Sequence, residues 1–269
     1  MVQSKWKVLS CAVLSACMMS GYVGAIARAD APKPAAAAPK APAEAADAPN
    51  PKHDRKDPSE PDKNFVARHE GFMVQKERLL KHGKMPQLVL VGDSITDGWH
   101  NGEGRDILEA FYGQYFPYNI GIGGDRTQHV LWRLDKGEVD GISPKVAMLM
   151  IGTNNLGGNT NEEIAAGVTK IVGELKEKLP HTKVLLLAIF PRSPKATDPF
   201  RARIKDINEV LAKLDDGGKT VKYLDIGPKF LDADGNLPKE IMPDALHPNG
   251  KGYEIWAEAV EPAINELMK

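Results

Sequence analysis

The sequence predicts an α/β protein: a doubly wound three-layer α/β/α sandwich around a five-stranded parallel sheet. Two patterns carry that prediction. Short apolar runs of strand length recur along the chain, each closed by glycine or by polar turn residues. Between them lie segments whose apolar residues repeat at helical spacing. Strand alternating with helix implies a parallel sheet covered on both faces, and right-handed crossovers place helices on each side.

The elements follow in order. "FVARHEGFMVQKERLLKHG", just after Asn64, reads as a helix stopped at Gly83. "QLVLVG" (87–92) is a short buried strand, and "RDILEAFYGQY" is a helix. "YNIG" (118–121) is the second strand, followed by the helix "RTQHVLWRLDKG", stopped by Gly137. "KVAMLMIG" (145–152) is the third strand, and "NEEIAAGVTKIVGELKEKL" is an amphipathic helix. "KVLLLAI" (183–189) is the fourth strand, with a helix from Asp198 to Leu214 after it. "VKYLDI" (221–226) is the fifth, and "GKGYEIWAEAVEPAINELMK" is the closing helix.

The residues before this domain have another character. Lys5 and Lys7 precede an apolar run from Val8 to Ala16, and "ARA" (27–29) is a small-x-small cleavage site. Residues 1–29 therefore read as an export signal. "LSAC" (14–17) also resembles a lipoprotein box, in which Cys17 would be acylated and anchor the chain to an envelope. The apolar run is too short and interrupted for a transmembrane anchor. Residues 30–62 are rich in alanine, proline and charge, which predicts an extended, disordered tether. The domain is assigned to residues 63–269, and the protein is expected in the periplasm or outside the cell.

Composition excludes several classes. The 35 basic and 36 acidic residues nearly cancel, so nothing here favours nucleic acid. The two cysteines, Cys11 and Cys17, both precede the domain, which leaves it without disulfides, redox pairs or cysteine metal clusters.

Ligands of doubly wound folds sit beyond the carboxyl ends of the strands. Here the first strand ends in "GDS", the second in "GIGGD" and the third in "GTNN". Thr96 replaces the second glycine of a G-x-S-x-G elbow, and Arg126 replaces the last glycine of a dinucleotide fingerprint, so neither motif is present. "DADGN" (232–236) lacks the spacing of a calcium loop. The parts left over suit acyl transfer. Ser94 needs a base, and His247 in "MPDALHPNG" stands before the last helix with Asp244 three residues earlier, close enough to hold its tautomer. The backbone N–H of Gly124 and the side-chain amide of Asn154 are candidate oxyanion donors, with the N–H of Ser94 itself. Asp93 reads as a loop-organising acceptor, Asp125 and Arg126 as a candidate structural pair, and Trp132 and Trp256 as packing residues. Ile95 and Leu246 flank nucleophile and base and are expected to wall an acyl pocket.

These blocks, Ser94 in "GDS", Gly124 in "GIGGD", Asn154 in "GTNN" and Asp244 with His247 in "DALH", resemble those of the SGNH (GDSL-type) hydrolases. "NIGIGGDRTQHVLWRL" and "PKVAMLMIGTNN" are very similar to central segments of the platelet-activating-factor acetylhydrolase catalytic subunits of that family. The resemblance covers about residues 85–265. It implies a flavodoxin-like SGNH fold and catalysis without metal or cofactor, by Ser94, His247 and Asp244 with oxyanion donors from Ser94, Gly124 and Asn154. The animal subunits are cytosolic dimers. The export signal departs from that pattern, and no residue here establishes a dimer. An exported esterase removing short acyl, chiefly acetyl, groups from O-acetylated carbohydrate is expected. The rivals are a lysophospholipase or thioesterase on the same machinery, an acetylhydrolase of the platelet-activating-factor type, and a non-catalytic glycan-binding or envelope-anchored module.

Overall fold

The computed structural model describes residues 44–53 and 59–269. The export signal, Cys17 and the first part of the tether lie outside the described residues. Strands β1 (Leu88–Gly92), β2 (Tyr118–Asn119), β3 (Val146–Met150), β4 (Lys183–Leu187) and β5 (Val221–Leu224) form one parallel sheet in the order β2-β1-β3-β4-β5. The helices are α1 (Lys63–Lys81), α2 (Ser94–Asp97), α3 (Gly102–Tyr112), α4 (Thr127–Asp135), α5 (Asn161–Lys178), α6 (Pro199–Leu211) and α7 (Gly250–Leu267). All five strands fall where the apolar runs place them. The element not anticipated as such is α2, a single turn directly after β1.

The sheet works because its strands alternate cleanly. Val89, Val91, Ala147, Leu149, Val184 and Leu186 face one core with residues of α1, α4, α5 and α6. Leu88, Leu90, Val146, Met148, Leu185 and Leu187 face the other, with residues of α3 and α7. Successive strand side chains point to opposite faces, so a continuous apolar run supplies both layers.

Strand order decides where the site lies. From β1 the chain first moves outward to β2, then crosses back to β3 on the other side. The two crossovers leave opposite faces of the sheet, which opens a crevice at the carboxyl ends of β1 and β3.

The tether expectation needs correction over residues 44–53, which are packed on the domain. Ala46 is 1% exposed. Its carbonyl accepts from Thr127 Oγ1 at 2.6 Å, the Glu44 carbonyl accepts from Asn159 Nδ2 at 2.9 Å, and Asn50 N–H donates to the Gln128 carbonyl at 3.1 Å. His53 and Pro61 form an antiparallel bridge. Alanine- and proline-rich sequence cannot build a core of its own, but it can dock through its backbone where a facing residue is small. Gly167 supplies that room, because a Cβ there would come within 2.5 Å of the Ala46 carbonyl.

The second core centres on Trp256, fully buried, with ring centroids 5.1 Å from Trp99 and 4.8 Å from Phe190. Trp256→Ala should lower unfolding stability by about 3–5 kcal/mol. Denaturant titration checks this, and a loss under about 1 kcal/mol would show that this packing is not central to the core.

Candidate active site

The site begins with how β1 ends. Gly92 pairs with Met150 on β3. A Cβ at Gly92 would meet the Met150 carbonyl at 2.5 Å and strike Thr96 Oγ1, so only glycine lets the chain turn there. Asp93 then caps α2, its Oδ1 accepting from Ile95 N–H at 3.0 Å. Ser94 is therefore the first helical residue, not the cap. Its N–H has no acceptor among the described residues, as helix geometry requires of a first-turn amide. Asp93 is fully buried, and its second carboxyl oxygen has no hydrogen-bond partner among the described residues. Burial pushes this carboxyl up to about 7.

The imidazole comes from the loop before α7. Ser94 Oγ and His247 Nε2 are 2.8 Å apart, and His247 Nδ1 is 2.6 Å from Asp244 Oδ2. Asp244 Oδ1 also accepts from the N–H groups of His247 at 2.8 Å and Leu246 at 3.1 Å. Ala245 makes this tight turn by adopting φ +57°, and its carbonyl is held by Ser193 N–H at 2.9 Å. Burial raises the Asp244 carboxyl, but the bonds from His247 outweigh it and hold the group below the usual carboxylate range. An ionised Asp244 accepting from Nδ1–H leaves Nε2 free to accept from the serine hydroxyl. Both side chains are open to solvent, 42% exposed for His247 and 56% for Asp244.

The remaining candidates come from the next two strand ends. Gly124 has φ +78°, and its N–H has no acceptor among the described residues. Asn154 Nδ2 donates to the Asp125 carbonyl at 2.8 Å, which leaves the second hydrogen of that amide for another acceptor. Asp125 pairs with Arg133 at 2.9 Å, not with Arg126. Helix α4 carries Arg133 directly beneath the loop, fully buried, and the same guanidinium bonds Glu138. His69 Nδ1 extends that buried chain to Glu138 at 2.9 Å.

Hydroxyl, imidazole and carboxylate thus meet at the carboxyl end of β1. The candidate donors stand on the loops after β2 and β3, and a Cβ built on Gly123, next to Gly124, would lie 3.9 Å from Ser94 Cβ. The acyl-pocket expectation fares differently. Ile95 is 1% exposed and lies in the second core, and Leu246 packs half-buried against the same core. The cavity beside Ser94, about 360 Å³, is bounded instead by Asn101, Glu103, His247, Asn249 and Tyr253. His129 and His100 are not part of the chain. His129 Nδ1 accepts from Arg126 N–H as part of the α4 cap, and burial pushes the ring down to about 3. His100 Nδ1 lies 3.2 Å from Asn119 Nδ2 and from the Asp97 carbonyl.

Two supporting residues escaped the sequence reading. Tyr253 donates to the Ile95 carbonyl at 2.8 Å and so ties α7 to α2. In sequence it reads as one more aromatic on a buried helix face. Asn155 accepts from Thr127 N–H at 3.0 Å and joins the β3 loop to α4. The doubled asparagine of "GTNN" was its only signal.

A five-stranded parallel sheet with such a chain at its switch point is the arrangement of the SGNH class of hydrolases. Residues 90–255 match the GDSL-like Lipase/Acylhydrolase family, and the chain belongs to it. It is 32% identical over 207 residues to platelet-activating factor acetylhydrolase IB subunit alpha1 of Homo sapiens, covering 77% of this chain and 85% of that one. It is 33% identical over 208 residues to subunit alpha2 of Rattus norvegicus, covering 77% and 86%. The fold is shared with Axe2, an acetylxylan esterase from Geobacillus stearothermophilus, at a TM-score of 0.53 and 20% identity over 67% of this chain and 93% of that one.

The raised Asp93 has a measurable consequence. A carboxyl whose folded pKa exceeds its unfolded one keeps its proton more tightly when folded. Its stabilisation is complete below the unfolded value, near 4, and is lost as pH rises towards 7. Asp93→Asn mimics the neutral acid and escapes that loss. Its stability relative to the wild type should improve by a few kcal/mol between about pH 4 and 7. Denaturant titrations of both proteins across this range test it, and parallel curves would contradict it.

Proposed function

We propose that this protein is an exported serine esterase that removes short acyl groups, chiefly acetyl, from O-acetylated carbohydrate. The observation that carries the chemistry is the Ser94–His247–Asp244 chain, with contacts of 2.8 and 2.6 Å. Ser94 Oγ attacks the ester carbonyl carbon while its proton passes to His247 Nε2. Asp244 holds the ring and stabilises the imidazolium. The carbonyl oxygen becomes an oxyanion, received by the N–H groups of Ser94 and Gly124 and the amide of Asn154. The intermediate collapses, the alcohol leaves with the proton from His247, and the acyl group stays on Ser94. Water then attacks, its proton goes to His247, and the free acid departs as Ser94 recovers its hydroxyl.

Three features support the substrate class. Both relatives compared above, at 32% and 33% identity, are named acetylhydrolases. The cavity beside Ser94 has Asn101, Glu103 and Asn249 among its lining residues, groups that can hydrogen-bond a polar alcohol. The exposed His247 and Asp244 suit an acyl group displayed on a bulky chain. Export rests on Lys5, Lys7, the apolar run and "ARA", and Cys17 offers the lipid-anchored route to the same compartment.

Ser94→Ala should lower kcat on p-nitrophenyl acetate by about 10³-fold or more, and acetate release from acetylated polysaccharide should stop with it. Wild-type turnover should fall as the p-nitrophenyl ester lengthens from acetate to decanoate, and should fall on the acid side as His247 takes a proton. A preference for decanoate would favour the lysophospholipase reading. Glycan binding without turnover in the wild type would favour a binding module.

A further inference from the structure

We propose that residues 44–53 are a working part of the active site, a strap in which Lys52 positions the Gly124 N–H as an oxyanion donor. The proposal rests on the Ser94–His247–Asp244 reading and adds to it a residue that no catalytic block contains.

The geometry is direct. Lys52 Nζ donates to the Gly123 carbonyl at 2.9 Å. That carbonyl and the Gly124 N–H belong to one planar, trans peptide group, so they point in opposite directions. Fixing the oxygen on one side fixes the N–H on the other. Such a clamp matters at this place. Gly123 and Gly124 are adjacent glycines, Gly124 stands at φ +78°, and no side chain resists rotation of the peptide between them. Were that peptide to flip, its carbonyl would face the site and repel a developing negative charge. The ammonium also adds positive charge behind the donor. A Cβ built on Gly124 would stand 3.0 Å from Lys52 Nζ, and no carboxylate among the described residues forms a salt bridge with this lysine.

Lys52 is itself held from both sides. Its own carbonyl accepts from Asp62 N–H at 2.6 Å, at the cap of α1. Upstream, buried Ala46 is bonded to Thr127, and Glu44 to Asn159. Those partners also hold the other donor loop. Asn155, next to Asn154, bonds Thr127 through its Oδ1 at 3.0 Å and Asn159 through its Nδ2 at 3.0 Å. The strap therefore reaches both loops that carry donors, one through Lys52 and one through the Asn155 cluster. A plain spacer needs none of these contacts.

The test uses the full chain with p-nitrophenyl acetate. Lys52→Met should lower kcat by about 10-fold or more, because a misaimed donor is lost chiefly in the transition state. KM should stay within about twofold, and the melting temperature should hardly move. Lys52→Arg, which can still donate to the Gly123 carbonyl, should recover most of kcat. Sites titratable with a fluorophosphonate should remain equal in number to the wild type. Wild-type kcat in Lys52→Met would overturn the proposal. So would a fall in kcat matched by an equal loss of titratable sites, since that reports unfolding instead of a misaimed donor. Turnover persisting in Ser94→Ala would instead overturn the underlying reading, so the two failures are distinguishable.

Discussion

At Gly92 there is no room for a side chain. The end of β1 presses against the Met150 carbonyl of β3, and the chain must turn at once into α2. That contact sets the position of Ser94 relative to the neighbouring strand end, after which Asn154 sits in the first turn of a 3-10 helix, Thr153–Gly157. Asp93 follows Gly92 into the interior, where one oxygen caps the helix and the other finds no partner among the described residues. The raised carboxyl is the cost of that arrangement. Functional sites commonly hold such locally unfavourable groups, because the surrounding fold fixes them in place.

The support around Ser94 comes from both layers of the sandwich. On one face α7 brings His247 to its N-terminal end and ties Tyr253 to the α2 carbonyl. On the other, α4 carries Arg133 under Asp125, whose carbonyl receives the Asn154 amide. The candidate donor Asn154 is thus braced by buried ionic groups, while the imidazole and carboxylate stay open to solvent. Donor groups held on one side and an accessible imidazole on the other agree with the acyl transfer proposed above.

Much of this was legible in the residues. Strand and helix alternation gave the sandwich, because short, β-branched apolar runs closed by glycine, such as "LVLVG", fit strands buried on both faces. The candidate site residues were legible as small, polar or glycine residues placed after those runs. The rest depended on packing between distant segments. Ile95 looked like a pocket wall because it follows Ser94, yet helix α2 turns it into the core. Asp125 looked like a partner for its neighbour Arg126, but the α4 helix brings Arg133 back beneath it. Residues 44–53 looked featureless because their composition gives no core. Their docking relies on backbone carbonyls and on a facing glycine, neither of which leaves a local pattern.

The central claim is that one oxyanion pocket is built from three strand ends and held from behind by the strap. It is tested most directly by a crystal structure of the full chain after reaction with a fluorophosphonate. The account predicts phosphorus on Ser94 Oγ and its free oxygen about 3 Å from the N–H groups of Ser94 and Gly124 and from Asn154 Nδ2. The Gly123 carbonyl should still point away, onto Lys52. A phosphoryl oxygen turned to solvent, or a Gly123 carbonyl turned into the site, would contradict it.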